Sequence, residues 1–337
     1  MVSIFLFIVS DINIIANQAL IIIKIYSGGL MKKRPSLRPM KKSRSNSRKI
    51  LMVNKKLLVI GALVVLFLCG FIITNYSPSQ TTLLVNGSEV KSSSNYKIMV
   101  IDNSTGGDVS NNTVLMKNIN KTPVIGELME AAKKGTPLII FGDGSQPRVM
   151  LVAGVHGAEL PSQIALTNLI NHLNGKQING TVYIIPFAIP NNTAACTRIN
   201  NGTDPDRVAN NPGTPLNSII NASVNSNVTM LVDFHSAQPN DIPGKNCIIF
   251  DPKNPKSLEL ARYLNNRTGS PLLEVGPYQG VLSTVSNRNG ITSVVCEVLS
   301  AHNSTDPGSV ELSYQYMLTF LEYSGVYNNT DLENSRN

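Results

Sequence analysis

Cysteine and histidine are both scarce in this 337-residue chain, with four of each. Four cysteines exclude a disulfide-dense scaffold. The three that follow residue 80 (Cys196, Cys247 and Cys296) leave room for at most one internal disulfide. Charge is thin too, at 15% of residues, and unevenly placed. Residues 1–80 hold 12 Lys/Arg and one acid, Asp11, whereas residues 81–337 hold 17 basic and 20 acidic residues. The overall net charge of +8 therefore belongs to the N-terminal quarter. The remainder lacks the basic surface of a nucleic-acid-binding domain, and no nucleic-acid partner is expected. No G-x-S-x-G elbow, phosphate-cradling glycine loop, cysteine zinc pair or internal repeat is present. Hydrophobic residues make up 42%, which argues against a disordered chain. The length suffices for one large or two ordinary domains with a sizeable core.

Residues 57–73 read LLVIGALVVLFLCGFII, 17 positions without a charge, and Thr74 extends the run. That is the lower limit for a helix crossing a bilayer. Residues 32–56 carry eleven Lys/Arg and no acid, and the eight residues NYSPSQTT that follow the run carry no charge. The positive-inside rule then puts the N-terminus in the cytoplasm and everything past about residue 75 outside. The expectation is a single-pass cell-membrane protein held through residues 57–74, with its domain extracellular. No small-x-small motif follows the run, so an uncleaved signal anchor is preferred to a cleaved signal peptide. A second apolar stretch, residues 2–25, is interrupted by Asp11, Asn13, Asn17 and Gln18. It reads either as a weak extra span or as a start-site artefact, with Met31, Met40 and Met52 as alternative starts. Thirteen Asn-x-Ser/Thr acceptors, from Asn75 to Asn328, all lie on the expected outer side and agree with an exported domain.

The expected organisation is a basic segment at 1–56, the anchor at 57–74, a Ser/Thr/Asn-rich stalk at 75–95, one domain at 96–325 and a tail at 326–337. Within the domain, strands are expected at 97–101, 138–141, 149–153, 182–186, 230–234, 247–250 and 293–298. Helices are expected at 125–134, 162–174, 256–265 and 309–323. Several strands are continuous apolar runs, as in a sheet covered on both faces. Their alternation with helices points to a three-layer α/β fold.

The apolar run VMLVAG leads directly into Val155-His156-Gly157-Ala158-Glu159. Sites in open α/β sheets form past the carboxyl ends of strands. His156 and Glu159, three apart at a helix start, can face one point and supply two of the three protein ligands of a hydrolytic zinc site. His235 ends the expected strand 230–234 in LVDFHS, and Asp233, two residues earlier, lies on the same face where it can orient that imidazole. His235 is therefore the expected third ligand of one Zn2+ ion. His172, in an expected helix, and His302, in the turn-like AHNSTDPG, are expected at the surface. Glu297 stands in the otherwise apolar SVVCEV, a costly place to bury a carboxylate unless it serves a site. Its neighbour Cys296 points to the opposite face, into the core.

The ordered set GDGSQPRVMLVAGVHGAE, CTRINNGTDPDR, LVDFHS and SVVCEV resembles the zinc carboxypeptidase superfamily, and most closely its aspartoacylase/succinylglutamate desuccinylase branch. The resemblance spans about residues 138–300 and implies a mixed central sheet in the three-layer α/β/α fold. It implies that His156, Glu159 and His235 hold one zinc ion and that Glu297 acts as general base and then proton donor. It also implies that Arg198 polarises the scissile carbonyl and that Arg207 holds a substrate carboxylate. At Asp206 the chain departs from the pattern, because the family usually has Asn there. An ionised Asp repels a carboxylate where an amide would donate to it. Tyr278 is a further candidate for contact with substrate. The implied activity is hydrolysis of amide bonds, in a small N-acyl amino acid or, given the expected location, a cell-envelope peptide. The alternative is a non-catalytic envelope-binding module that keeps the pocket without turnover. Asp206 supports that alternative, and Glu297 opposes it.

Overall fold

The computed structural model describes residues 87–327 except Ser94 and Pro277. The apolar runs at 2–25 and 57–74 and most of the expected tail lie outside the described residues. Among the described residues, no helix is long and apolar enough to cross a membrane.

Nine strands form one mixed sheet: β1 (Ser88–Ser92), β2 (Lys97–Asp102), β3 (Thr136–Gly142), β4 (Arg148–Ala153), β5 (Thr181–Ile185), β6 (Met230–Ala237), β7 (Cys247–Phe250), β8 (Leu272–Glu274) and β9 (Thr292–Leu299). Their spatial order is β1-β2-β3-β5-β4-β6-β9-β7-β8. The centre, β5-β4-β6-β9, is parallel, and β3 and β7 flank it antiparallel. The central strands are apolar on both sides. Val149, Leu151 and Ala153 of β4 enter one hydrophobic cluster, while Met150 and Val152 enter the other. This two-faced burial explains why the strands read as unbroken apolar runs rather than alternating ones.

The first face is covered by helices α1 (Thr113–Asn118), α2 (Pro123–Ala132), α3 (Leu160–Leu173), α6 (Pro255–Thr268) and α8 (Ser309–Ser324). The second is covered by α5 (Pro215–Asn225) and α7 (Leu282–Arg288). A short helix, α4 (Pro190–Ala195), follows β5. The expected strands and longer helices all occur, the strand at 247–250 with the expected bounds and the others with shifted ends. Helices α1, α4, α5 and α7 and strands β1 and β8 were not expected.

Two boundaries differ from the sequence reading. Residues 88–92, placed in the polar stalk by composition, pair antiparallel with β2, and Glu89 meets Lys97 at 2.5 Å. An edge strand needs ladder hydrogen bonds more than apolar side chains, so polarity concealed it. At the other end, Val326 is fully buried and its carbonyl accepts from Asn179 N at 2.9 Å. The packed domain therefore runs beyond 325. Cys196, Cys247 and Cys296 are all free thiols, so the one internal disulfide the sequence allowed is not formed. Cys296 is in the core as expected, 1% exposed.

Candidate metal centre and active site

Because β4, β6 and β9 are parallel, their carboxyl ends lie on one edge of the sheet, and the chemistry-bearing residues collect there. The chain leaves β4 through Gly154, whose φ of +76° suits glycine. Gly157 then packs so closely on α4 that a Cβ would stand 2.0 Å from the Asn192 carbonyl carbon. This close approach turns His156 and Glu159 toward the end of β6. Glu159 sits at the N-cap of α3 but does not cap it. Its carboxylate instead accepts from Ser236 N at 2.9 Å and from Arg198 Nη1 at 2.9 Å. It also faces His156 Nδ1 at 2.8 Å and His235 Nδ1 at 3.0 Å. Burial works against its charge, yet the two imidazoles prevail and hold the carboxyl well below the usual carboxylate range.

Each imidazole has a second carboxylate on its far side. His156 Nε2 lies 2.9 Å from Asp204 Oδ1, and His235 Nε2 lies 3.0 Å from Asp233 Oδ2. The Nε2 bond of His156 to Asp204 leaves its Nδ1 lone pair free to ligate, the way metal-ligating histidines are usually held, whereas His235 Nε2 has Asp233 at ion-pair distance without an aligned hydrogen bond. His156, Glu159 and His235 are all buried, and they bring ligand atoms within 4.8 Å of one another. Donor chemistry, convergence and these flanking carboxylates together fit one zinc ion. Asp206, Asp233 and His235 also have ligand-type atoms within 4.8 Å of each other, which places Asp206 directly behind His235.

Glu297 is held beside the ligands by strand register. In the parallel β6–β9 ladder His235 pairs with Glu297, so ligand and carboxylate are neighbours on the same face. Glu297 is 9% exposed, and its Oε2 has no hydrogen-bond partner among the described residues. Burial pushes its carboxyl up to about 7.

The 205–207 turn completes the wall. Asp204 caps it by accepting from Asp206 N at 3.0 Å and takes a further bond from Arg198 Nη2 at 3.1 Å. Asp206 is 7% exposed and accepts at Oδ1 from Leu282 N at 3.0 Å, and burial raises its carboxyl to about 6. The Arg207 guanidinium donates to the Asp206 carbonyl at 2.8 Å and stacks on Tyr278, 3.9 Å from the ring centroid. A cavity of about 530 Å³ opens over these groups. All eight candidate residues from the sequence line it: His156, Glu159, Arg198, Asp206, Arg207, His235, Tyr278 and Glu297.

His302, expected at the surface, lines the same cavity, with Nε2 3.8 Å from Glu159 Oε1. Its backbone N donates to Gln238 Oε1 at 2.9 Å, and the next residue, Asn303, donates to Ala158 O at 2.8 Å. The turn after β9 is thereby folded back over the site. His172 is not on a bare solvent face either. It is half-buried, with Nε2 2.8 Å from the Tyr327 hydroxyl. Asp204 was quoted in the sequence motif without a role, although a Pro-Asp-Arg turn preceded by Asp signals a capping carboxylate.

The central part of the chain is similar to known proteins. Residues 145–298 match the succinylglutamate desuccinylase/aspartoacylase catalytic domain. No curated protein sequence matches the chain. Among solved structures it is similar to the product-bound ectoine utilization protein EutE (DoeB) from Ruegeria pomeroyi, at 18% identity over 58% of this chain and 64% of that one, TM-score 0.50. It is also similar to a succinylglutamate desuccinylase/aspartoacylase from Rhodobacter sphaeroides, at 22% identity over 58% and 61%, TM-score 0.47. A metallo-carboxypeptidase from Burkholderia cenocepacia shows 13% identity over 56% and 60%, TM-score 0.45. The chain thus spans less than two thirds of each structure. At TM-score 0.50 the likeness to EutE is one of fold. The desuccinylase/aspartoacylase match includes His156, Glu159, Arg198, Asp206, Arg207, His235 and Glu297.

Proposed function

We propose that this chain is a zinc-dependent hydrolase of amide bonds, acting on small N-acyl amino acids or short peptides. The observation that carries the reading is the pairing of Glu297 with His235 across β6 and β9. It sets a buried carboxylate with an unpartnered oxygen beside three convergent ligands. His156, Glu159 and His235 would hold the zinc, which supplies a Lewis acid and favours ionisation of water. Glu297 takes a proton from the water whose oxygen attacks the carbonyl carbon. As the C–N bond breaks, it returns that proton to the leaving nitrogen. Arg198, held by Glu159 and Asp204, directs permanent positive charge at the carbonyl oxygen as it becomes negative. Arg207 and Tyr278 bound the region that seats the rest of the substrate.

The position of this domain outside a cell membrane, held through residues 57–74, belongs to the same proposal. It is supported by the uncharged run behind eleven cations.

Purified full-length protein is expected to contain about one zinc per chain. His156→Ala and His235→Ala should each remove it. Glu297→Gln should keep the metal and lower turnover of an N-acyl amino acid and peptide panel by about 10²–10⁴-fold. Zinc retained in both histidine variants would overturn the ligand assignment. Absent turnover, together with envelope binding that Glu297→Gln leaves unchanged, would replace the hydrolase by the binding module.

A further inference from the structure

We propose that the cavity selects substrates bearing a positive charge, an ammonium or guanidinium group, on the portion that rests against Asp206. This rests on the hydrolase reading and adds the class of substrate.

Six carboxylates line the cavity (Glu159, Asp204, Asp206, Asp241, Glu274 and Glu297) against two guanidinium groups, Arg198 and Arg207, and no lysine. With every carboxylate ionised, a zinc ion on the three ligands offsets two of those negative charges and leaves an excess of two. Both arginines already have carboxylate partners, so neither brings an uncompensated positive charge to the cavity. Arg198 is committed to Glu159 and Asp204 at 2.9 and 3.1 Å. Arg207 lies 3.8 Å from the carboxylates of both Asp204 and Asp206, donates to a backbone carbonyl and is covered on one face by Tyr278. Asp206 is fixed by Leu282 N and backed by Asp233, so it cannot turn away. Buried carboxylates are ordinarily paired with cations. Here Glu297 lines the same cavity with its buried Oε2 unpartnered among the described residues, while Asp241 and Glu274 line it as exposed residues. A cleft of one charge sign with low-dielectric walls concentrates the opposite charge. The missing counter-charge is therefore the substrate's own.

The test uses full-length, zinc-loaded protein and three compounds that differ at the side-chain end: Nα-acetylornithine, Nα-acetylnorvaline and N-acetylglutamate. The expected kcat/KM order is ornithine, norvaline, glutamate, with about tenfold or more between the extremes, a ratio that shrinks as salt is added. Asp206→Asn preserves the acceptor for Leu282 N and should move the ornithine/glutamate ratio toward one. Equal rates, or a preference for N-acetylglutamate, overturn the proposal while leaving the hydrolase intact. If no compound is hydrolysed, the peptide panel decides the hydrolase reading, and calorimetric binding of the same three compounds decides the charge preference. Tighter binding of the ornithine compound, weakened by Asp206→Asn, sustains it. The reverse order, equal binding or no binding overturns it.

Discussion

Asp204 shows how much one side chain in a turn can hold. It caps its own turn at Asp206 N, accepts from Arg198 and sets the tautomer of His156. Removing it leaves His156, Glu159 and His235 in place but frees one imidazole to rotate. Asp204→Ala is therefore expected to weaken zinc about 10–100-fold, read by competition with a chromophoric chelator. Unchanged affinity would mean that packing alone orients His156. Thiol chemistry offers an independent check at the same scale. Burial pushes the Cys247 thiol up to about 12 and Cys296 well above its ordinary value, whereas Cys196 is partly exposed with a smaller upward shift. At pH 8.5 the native protein should take up iodoacetamide at Cys196 and spare Cys247 and Cys296, with peptide mapping as the readout. Labelling at Cys296 without denaturant would contradict the packing of β9. His156, Glu159, His235 and Glu297 were legible because each ends or interrupts an apolar run. His302 was not, since its place depends on Asn303 finding Ala158 O across 145 residues of chain.

Among the elements, the short helices carry more of the site than their length suggests. Helix α1 begins at Asn112, which is fully buried. Its Oδ1 accepts from Leu115 N at 2.9 Å, and its Nδ2 donates to Thr193 O of α4 at 3.0 Å. Asn112→Ala removes both bonds and strands the Thr193 carbonyl. Destabilisation of about 1–3 kcal/mol is expected from denaturant titration. A loss below about 0.5 kcal/mol would show that α1 and α4 are held by their apolar contacts alone. Helices α5 and α7 escaped the sequence reading for a physical reason. Helix α5 has its large buried apolar residues at 216, 219 and 220, the right spacing, but Asn and Ser fill five of the other eight positions and resemble loop. Helix α7 buries Ser283 and Ser286 beside only two apolar residues, Leu282 and Val285, too few to show a period in the sequence. The segment leading into α7 also touches the 205–207 turn so closely that a Cβ on Gly280 would stand 1.9 Å from Arg207 O. Gly280→Ala should displace that turn, and with it the ornithine/glutamate discrimination, before it affects zinc content.

For the whole molecule, a ligand that binds the native state alone adds stability by mass action, about 2.7 kcal/mol at a hundredfold excess over Kd. For a folded body of this size that corresponds to roughly 2–4 °C in Tm per kcal/mol. Chelation of purified protein should therefore lower Tm by several degrees, and the same treatment of His235→Ala should leave it unmoved. Equal shifts in both would place the zinc elsewhere. The mixed sheet was readable in outline because its parallel centre is apolar on both faces. Its margins were not, since β1 is polar and exposed and β8 has three residues, of which none is fully buried.

The ladder between β6 and β9 also acts as a ruler. The spacing between His235 and Glu297 is one rung, about 4.8 Å across neighbouring strands. It is measured by backbone hydrogen bonds rather than by the 61 intervening residues. Those residues contribute Asp241, Glu274 and Tyr278 to the cavity wall. Segments 238–246 and 275–281 can accordingly be exchanged, lengthened or recharged without changing the distance on which proton transfer depends. This makes the protein a natural chassis for grafting new recognition loops onto an unchanged sheet edge.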